Sequence, residues 1–286
     1  MSYFHLNLIL KGKLTVCCLL MLPAIPLNAQ REAKQIGDFK ESISLNEHLR
    51  GTKRTLQYRP DGDEFVCVNG KNRYTRALYG SHSPFRVETS DRPVFAFYNN
   101  GRGGNISFKV ILRDGTELAL DCTGHCESPY SSGKRTYYLT DPSWGKGELR
   151  ISVLALADMD GAIWRFSPSN MPKGAILRWQ HGGATGKRLS RNGDMGVDPA
   201  DCFELPVEAT DLVTGELPLQ KEVYLVRGEV PEDYNVRKLY QQAEAASLAL
   251  ASHLKIETPD PYLNTLGGAL VAADDGIWDG QVWWHG

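Results

Sequence analysis

The chain has 286 residues, of which 42% are hydrophobic, 23% charged and 9% aromatic. These are the proportions of an ordinary soluble globular protein, and they exclude collagen-like, coiled-coil and disordered classes. Thirty-two Lys and Arg stand against 34 Asp and Glu, a net charge of -2, so no basic surplus is available for a phosphate backbone and no nucleic-acid partner is expected.

Lys11 and Lys13 precede the apolar run 14–22, which is followed by Pro23, Pro26 and the small residue Ala29. Basic, then apolar, then small is the order of a secretory signal, and a run this short cannot span a bilayer as a helix. Residues 1–29 are therefore expected to be removed. The reading implies a periplasmic or secreted protein that is not membrane-bound after cleavage. Removing 29 of 286 residues leaves 257, with 30 basic and 34 acidic side chains, a charge of -4.

Four cysteines remain beyond that point: Cys67, Cys122, Cys126 and Cys202. An exported chain permits disulfides, and four cysteines allow three pairings that sequence does not separate. Cys122-Thr123-Gly124-His125-Cys126 offers two thiolates and an imidazole, but only three zinc ligands with no second pair at matching spacing. No metal and no cofactor are expected.

From residue 65 to residue 228 the pattern has the period of strands. Ile106, Phe108, Val110 and Leu112 alternate with Ser107, Lys109, Ile111 and Arg113, one face apolar and the other mostly polar. Asp114-Gly115 then predicts a type I′ turn before a return strand over 117–120. A second hairpin is predicted with Leu149, Ile151, Val153 and Ala155 on its outgoing strand, Asp160-Gly161 at its turn and 162–166 returning. Further strands are expected over 94–98, 136–140, 175–179 and 222–226. Many short antiparallel strands without long helices between them predict a large β-sandwich over residues 30–229.

The period changes near Val230-Pro231. Pro231, Glu232 and Asp233 suit the first turn of a helix, and Val236, Leu239, Tyr240, Ala243, Ala246 and Leu250 recur at helical spacing. A linker helix is expected within 230–256, with its second half, apolar nearly all round over 248–254, buried against something large. Pro259 and Pro261 interrupt it. A second short helix is expected over 262–273, within a segment, 257–286, that begins another domain. Trp278, Trp283 and Trp284 fall in the last nine residues. Burying one Trp removes about 200 Å² from water, so a chain ending there is expected to belong to a domain that continues.

Nucleotide and metalloprotease signatures fail. Gly183-Ala184-Thr185-Gly186-Lys187-Arg188 has His181 where a phosphate loop needs Gly and Arg188 where it needs Ser or Thr, and no H-E-x-x-H occurs. What remains is carboxylate beside aromatic. Asp274, Asp275 and Asp279 lie next to Trp278, Trp283, Trp284 and His285, and sugar sites combine flat rings with groups that bind hydroxyls. Glycoside hydrolysis needs two carboxyl groups across the scissile bond. Asp275, Asp279, Trp278, Trp283, Trp284 and His285 are accordingly the candidate sugar-binding or acid/base residues, although the spacing alone identifies no catalytic pair. Capping acids and core-filling rings would account for the same residues.

The motif Pro259-Asp260-Pro261-Tyr262-Leu263-Asn264, with Asp274-Asp275-Gly276-Ile277-Trp278-Asp279-Gly280 and Trp283-Trp284-His285-Gly286, resembles the start of the helical toroid of six-hairpin glycosidase-like proteins. Asn69-Gly70-Lys71-Asn72-Arg73-Tyr74 and Gly101-Arg102-Gly103-Gly104-Asn105 are similar to the N-terminal part of an exported domain-of-unknown-function family from polysaccharide-degrading bacteria. The resemblance implies an N-terminal β-sandwich joined by a linker helix to an (α/α)6 barrel that carries the active site. Only about two of that barrel's twelve helices fall within this chain. The expected function is that of the N-terminal portion of an exported glycoside hydrolase-like protein acting on poly- or oligosaccharide, the present chain alone being inactive. The alternatives are a non-catalytic carbohydrate-binding or scaffolding sandwich, or an inactive remnant.

Overall fold

The computed structural model describes residues 9–10, 57–70, 76–80, 85–99, 102–182, 212–231, 233–278 and 280–283. The chain divides into two compact units, Met1–Lys11 with Tyr58–Gly286 in one and Gly12–Gln57 in the other. The second unit, with the apolar run 14–22, lies outside the described residues except for Gln57, as do Cys202 and the segment 183–188.

The first unit is mostly β, and every strand pairing among its described residues is antiparallel. One sheet runs in the order β15 (Val223–Gly228), β12 (Gly161–Ser169), β11 (Glu148–Ala155), β10 (Lys134–Thr140), β9 (His125–Ser131), β3 (Glu64–Val68), β2 (Arg59–Asp61). The other runs β14 (Val213–Pro218), β13 (Ile176–Gly182), β7 (Arg102–Ile111), β6 (Phe95–Asn99), β5 (Phe85–Thr89), β4 (Arg76–Tyr79), with β8 (Glu117–Ala119) on the far end of β7. A separate two-residue pairing joins β1 (Ile9–Leu10) to β16 (Leu254–Lys255).

The inward residues of both sheets form one hydrophobic core, which makes the arrangement sandwich-like. Trp164 of β12 is fully buried at its centre, its ring 5.6 Å from Phe95, 5.7 Å from Phe97 and 6.1 Å from Phe108 across the layer. The alternation that predicts β7 has this cause: Ile106, Phe108 and Val110 face the core, while Lys109 reaches Glu117 on the outer side at 3.6 Å.

Both predicted hairpins form, but their turns differ from expectation. Gly115 has φ +87° while Asp114 is not left-handed, and Leu112 and Thr116 close the loop by the Thr116 carbonyl at 2.9 Å. The three-residue loop is a type I turn followed by a left-handed glycine, so the type I′ expectation is corrected; one positive φ suffices for a loop of this length. Gly161 is not in a turn conformation. It is the first residue of β12, and a Cβ there would meet the Arg227 carbonyl at 2.9 Å. The glycine is needed for close approach of β15.

The first helix, α1 (Val236–Ala251), starts later than Pro231. Asn235 caps it by accepting the Lys238 N–H at 3.0 Å, and an amide at the N-cap outcompetes a proline further upstream. Leu239, Tyr240 and Ala243 pack on the outer face of the first sheet against Leu154, Leu156 and Ile163. The apolar second half is covered on one side only, with Leu248 57% exposed. The second helix, α2 (Pro261–Gly276), is capped by Asp260, which accepts from the Tyr262 N–H at 2.8 Å. It runs three residues past its expected end and takes in both Asp274 and Asp275. Its glycines are contact points rather than interruptions: a Cβ on Gly267 would stand 2.9 Å from the Leu254 carbonyl, and one on Gly268 2.4 Å from Ser132 Oγ.

A buried charge sits within the two-sheet unit, unsignalled by periodicity. Arg135 and Asp91 are both fully buried with Nη2 and Oδ1 3.5 Å apart. Arg135 also donates to Ser128 Oγ at 2.9 Å and Tyr58 Oη at 3.2 Å, and Tyr58 donates to Asp91. Pairing the two buried charges through Nη2 offsets part of the cost of burying them, while Nε and Nη1 find no partner among the described residues.

Candidate functional site

Asp275 lies in the last turn of α2 and lines a cavity. The last turn of α2 carries it to the junction of four elements, where a cavity of about 170 Å³ is lined by Ala77 and Tyr79 of β4, Ser132 and Gly133 of the β9–β10 turn, Ala243 and Ser247 of α1, and Ala272 of α2. Small residues leave the space. Ser247 Oγ donates to the Ser132 carbonyl at 2.7 Å, and Thr265 donates to the Gly62 carbonyl at 2.9 Å, so both helices are tied to strand turns of the first sheet. Gly276, next to Asp275, lies directly on the Tyr79 ring. Burial, with the Glu88 carboxylate contributing next, pushes the Tyr79 hydroxyl up to about 12. It therefore stays a neutral hydrogen-bonding group through the physiological range.

Asp274 is exposed and Asp275 half-buried. Neighbours on a helix point about 100° apart, so these two acids do not face each other across one ligand. Both sit at the negative end of the helix dipole, with no basic residue in that turn. Acids there cost about 0.3–1 kcal/mol each, and a local rule broken in this way marks a functional or strained position.

Beyond the helix the chain doubles back. Trp278 N–H donates to the Asp275 carbonyl at 3.2 Å, Gly280 takes φ +95°, and Trp278 and Trp283 form an antiparallel bridge. Their rings lie 4.5 Å apart at 48°. Trp283 is 61% exposed and Val282 54%, so the pair presents an aromatic surface to solvent. Asp279, Trp284 and His285 lie outside the described residues.

The other sequence candidates disperse. Cys126 is buried and its thiol reaches the Asp91 carbonyl at 3.6 Å, whereas Cys122 is exposed beside Asp121. Those two sulfurs do not converge; Cys67, Cys122 and Cys126 are free thiols, and among the described residues no group of three His, Cys, Asp or Glu is placed to hold a metal ion. His181 stacks on Phe97 with 4.9 Å between centroids and accepts from Arg227 Nε at 2.9 Å, while Arg165 stacks on Tyr240 beneath α1 at 4.3 Å.

Sequence reasoning missed Tyr79 and the charged pair behind it. Glu88 is buried, its Oε1 2.5 Å from Arg86 Nε, and burial pushes its carboxyl up despite that arginine. Arg86 in turn lies 4.3 Å from the Tyr98 ring. The signal was present as Arg86 and Glu88 on alternate positions of β5, indistinguishable from a solvated face.

The described part is thus a two-sheet antiparallel protein with two C-terminal helices that bring one carboxylate and an exposed aromatic pair to one end. Residues 100–230 match the family model described as Domain of unknown function (DUF4450). This DUF4450 domain takes in strands of both sheets from β7 to β15 and stops before both helices, so the Ser132 wall of the cavity lies inside it and Asp275 outside. No curated protein matches the chain. Among the described residues no helix is long and apolar enough to cross a membrane.

Proposed function

We propose that the chain is the saccharide-contacting, N-terminal part of an exported glycoside hydrolase-like protein acting on poly- or oligosaccharide, its helices beginning an (α/α)6 barrel. The observation that carries this reading is the Trp278–Trp283 pair, solvent-facing and directly joined to the helix end that bears Asp275. A flat ring stacks on the apolar face of a sugar, and a nearby carboxylate accepts from its hydroxyls. Asp275 is the acid assigned to this contact, as hydroxyl ligand or acid/base. Asp279, Trp284 and His285 complete the set at the sequence level.

A non-catalytic carbohydrate-binding role is the second reading, favoured by the divergence of Asp274 and Asp275, because hydrolysis needs two carboxyl groups facing one bond. One experiment separates the readings. The product of the complete open reading frame and its Asp275→Asn and Trp283→Ala variants, with the 286-residue chain as control, are incubated with a panel of soluble glycans, and retention and reducing-sugar release are measured in parallel. Release abolished in Asp275→Asn assigns hydrolysis. Retention without release, weakened in Trp283→Ala, assigns binding. Neither retention nor release overturns both. Export is tested by N-terminal sequencing of the secreted or periplasmic product, for which cleavage after Ala29 is expected.

A further inference from the structure

We infer that the outer face of the first sheet carries a second saccharide site, a groove across β9 to β12 that takes a neutral polyhydroxylated ligand. Helix α1 covers only the end of this face that holds Leu154, Ile163 and Arg165. Two registers further along the strands the face is open. The cross-strand row there is Glu127, Tyr138, Arg150, Ser167, and the last three line, with Glu148 and His125 of the next row, a cavity of about 440 Å³. Four strands about 4.8 Å apart give this field a width of about 14 Å.

Three observations select the ligand. Tyr138 is 42% exposed on a sheet face, which offers a flat ring to solvent. The Arg150 guanidinium lies 5.3 Å from the centre of that ring and lines the cavity. Guanidinium N–H groups on this face are donors from which a ligand hydroxyl accepts. In the lining one arginine stands against Glu148, which leaves no positive excess and disfavours phosphate, sulfate or uronate. Guanidinium donors and carboxylate acceptors around an aromatic ring match a ligand whose every group both donates and accepts, a neutral sugar chain. The groove shares its ligand class with the Trp278–Trp283 pair but none of its residues.

The test is native affinity electrophoresis of the 286-residue chain in gels containing mixed-linkage β-glucan, xylan, galactomannan or polygalacturonate, with unfolding midpoints measured for each variant. At least one neutral polysaccharide is expected to retard the protein. Tyr138→Ala and Arg150→Met, both on an open face, should each weaken that retardation about tenfold in Kd at an unchanged midpoint, with Tyr138→Phe retaining it. Three results overturn the inference: no retardation by any neutral polymer, wild-type retardation in both variants, or stronger Arg150-dependent retardation by polygalacturonate. Loss confined to Trp283→Ala removes the groove and leaves the tryptophan site; loss confined to Tyr138→Ala and Arg150→Met does the reverse.

Discussion

Replacing Gly276 by alanine tests whether α2, and with it Asp275, is seated on β4 by the absence of a side chain. A Cβ at this position would stand 2.1 Å from Tyr79 Cγ and 2.2 Å from Cδ2. Ordinary contact begins near 3.4 Å, so ring or helix must give by about 1.3 Å. Tyr79 is held within the junction, not at the end of a flexible chain, so the helix end bears most of the shift. Overpacking of this kind costs about 1–3 kcal/mol. Gly276 has no positive φ, so alanine recovers part of the glycine helix penalty of about 1 kcal/mol, and less than all of it at a helix end. The expected net loss is about 1–2 kcal/mol, or about 2–8 °C in Tm for a domain of this size. Urea unfolding measures it. Shortening the ring in the same background, as Tyr79→Leu, should relieve the clash, so the double-mutant cycle should show a coupling above about 1 kcal/mol. A Gly276→Ala protein within 0.5 kcal/mol of wild type, or a cycle without coupling, would refute the seating of α2 on Tyr79.

Four further expectations test other parts of the molecule. Arg135→Met leaves the buried Asp91 carboxylate without its cation and should cost about 3–5 kcal/mol, with Asp91→Asn added to it recovering part of the loss in urea titrations. Iodoacetamide on the native protein should label Cys122 well before Cys67 or Cys126, as read by peptide mass mapping, because Cys122 alone of these three described thiols is exposed; equal labelling of Cys126 would contradict its place in the core. Stability should fall with rising pH above 9: burial pushes the Cys126 thiol from 9.0 to about 12 in the folded protein, so between those values the unfolded chain has released a proton that the folded one retains, and each pH unit removes up to about 1.4 kcal/mol. Urea midpoints at pH 8, 10 and 11 check the sign, and Cys126→Ala should flatten the slope. Asp274→Lys reverses an exposed acid at the negative end of α2 and should gain about 0.3–1 kcal/mol, a small rise in Tm by calorimetry.

The alternation in β7 and β11 was readable because one face of each strand meets a core and the other does not, a constraint that acts residue by residue. The strand β9 was not readable: the Cys122-to-Cys126 cluster invites a metal reading, and only the inward turn of Cys126 toward Asp91 disperses it. The extent of α2 was likewise hidden, since Gly267, Gly268 and Gly276 weaken a helix in isolation and become favourable only where Leu254, Ser132 and Tyr79 press against it. The open groove over Tyr138 and Arg150 depends on four strands lying in register, which no local pattern reports.

Composition, the presence of the two hairpins and the change of period near residue 230 follow from the chain alone, because strand alternation and helix spacing are set by near neighbours. The pairing order of the strands, the burial of Arg135 with Asp91 and the meeting of Asp275 with Tyr79 were decided by tertiary structure. Each joins residues far apart in the chain, and their energies exist only once the two sheets and the helices have closed on one another.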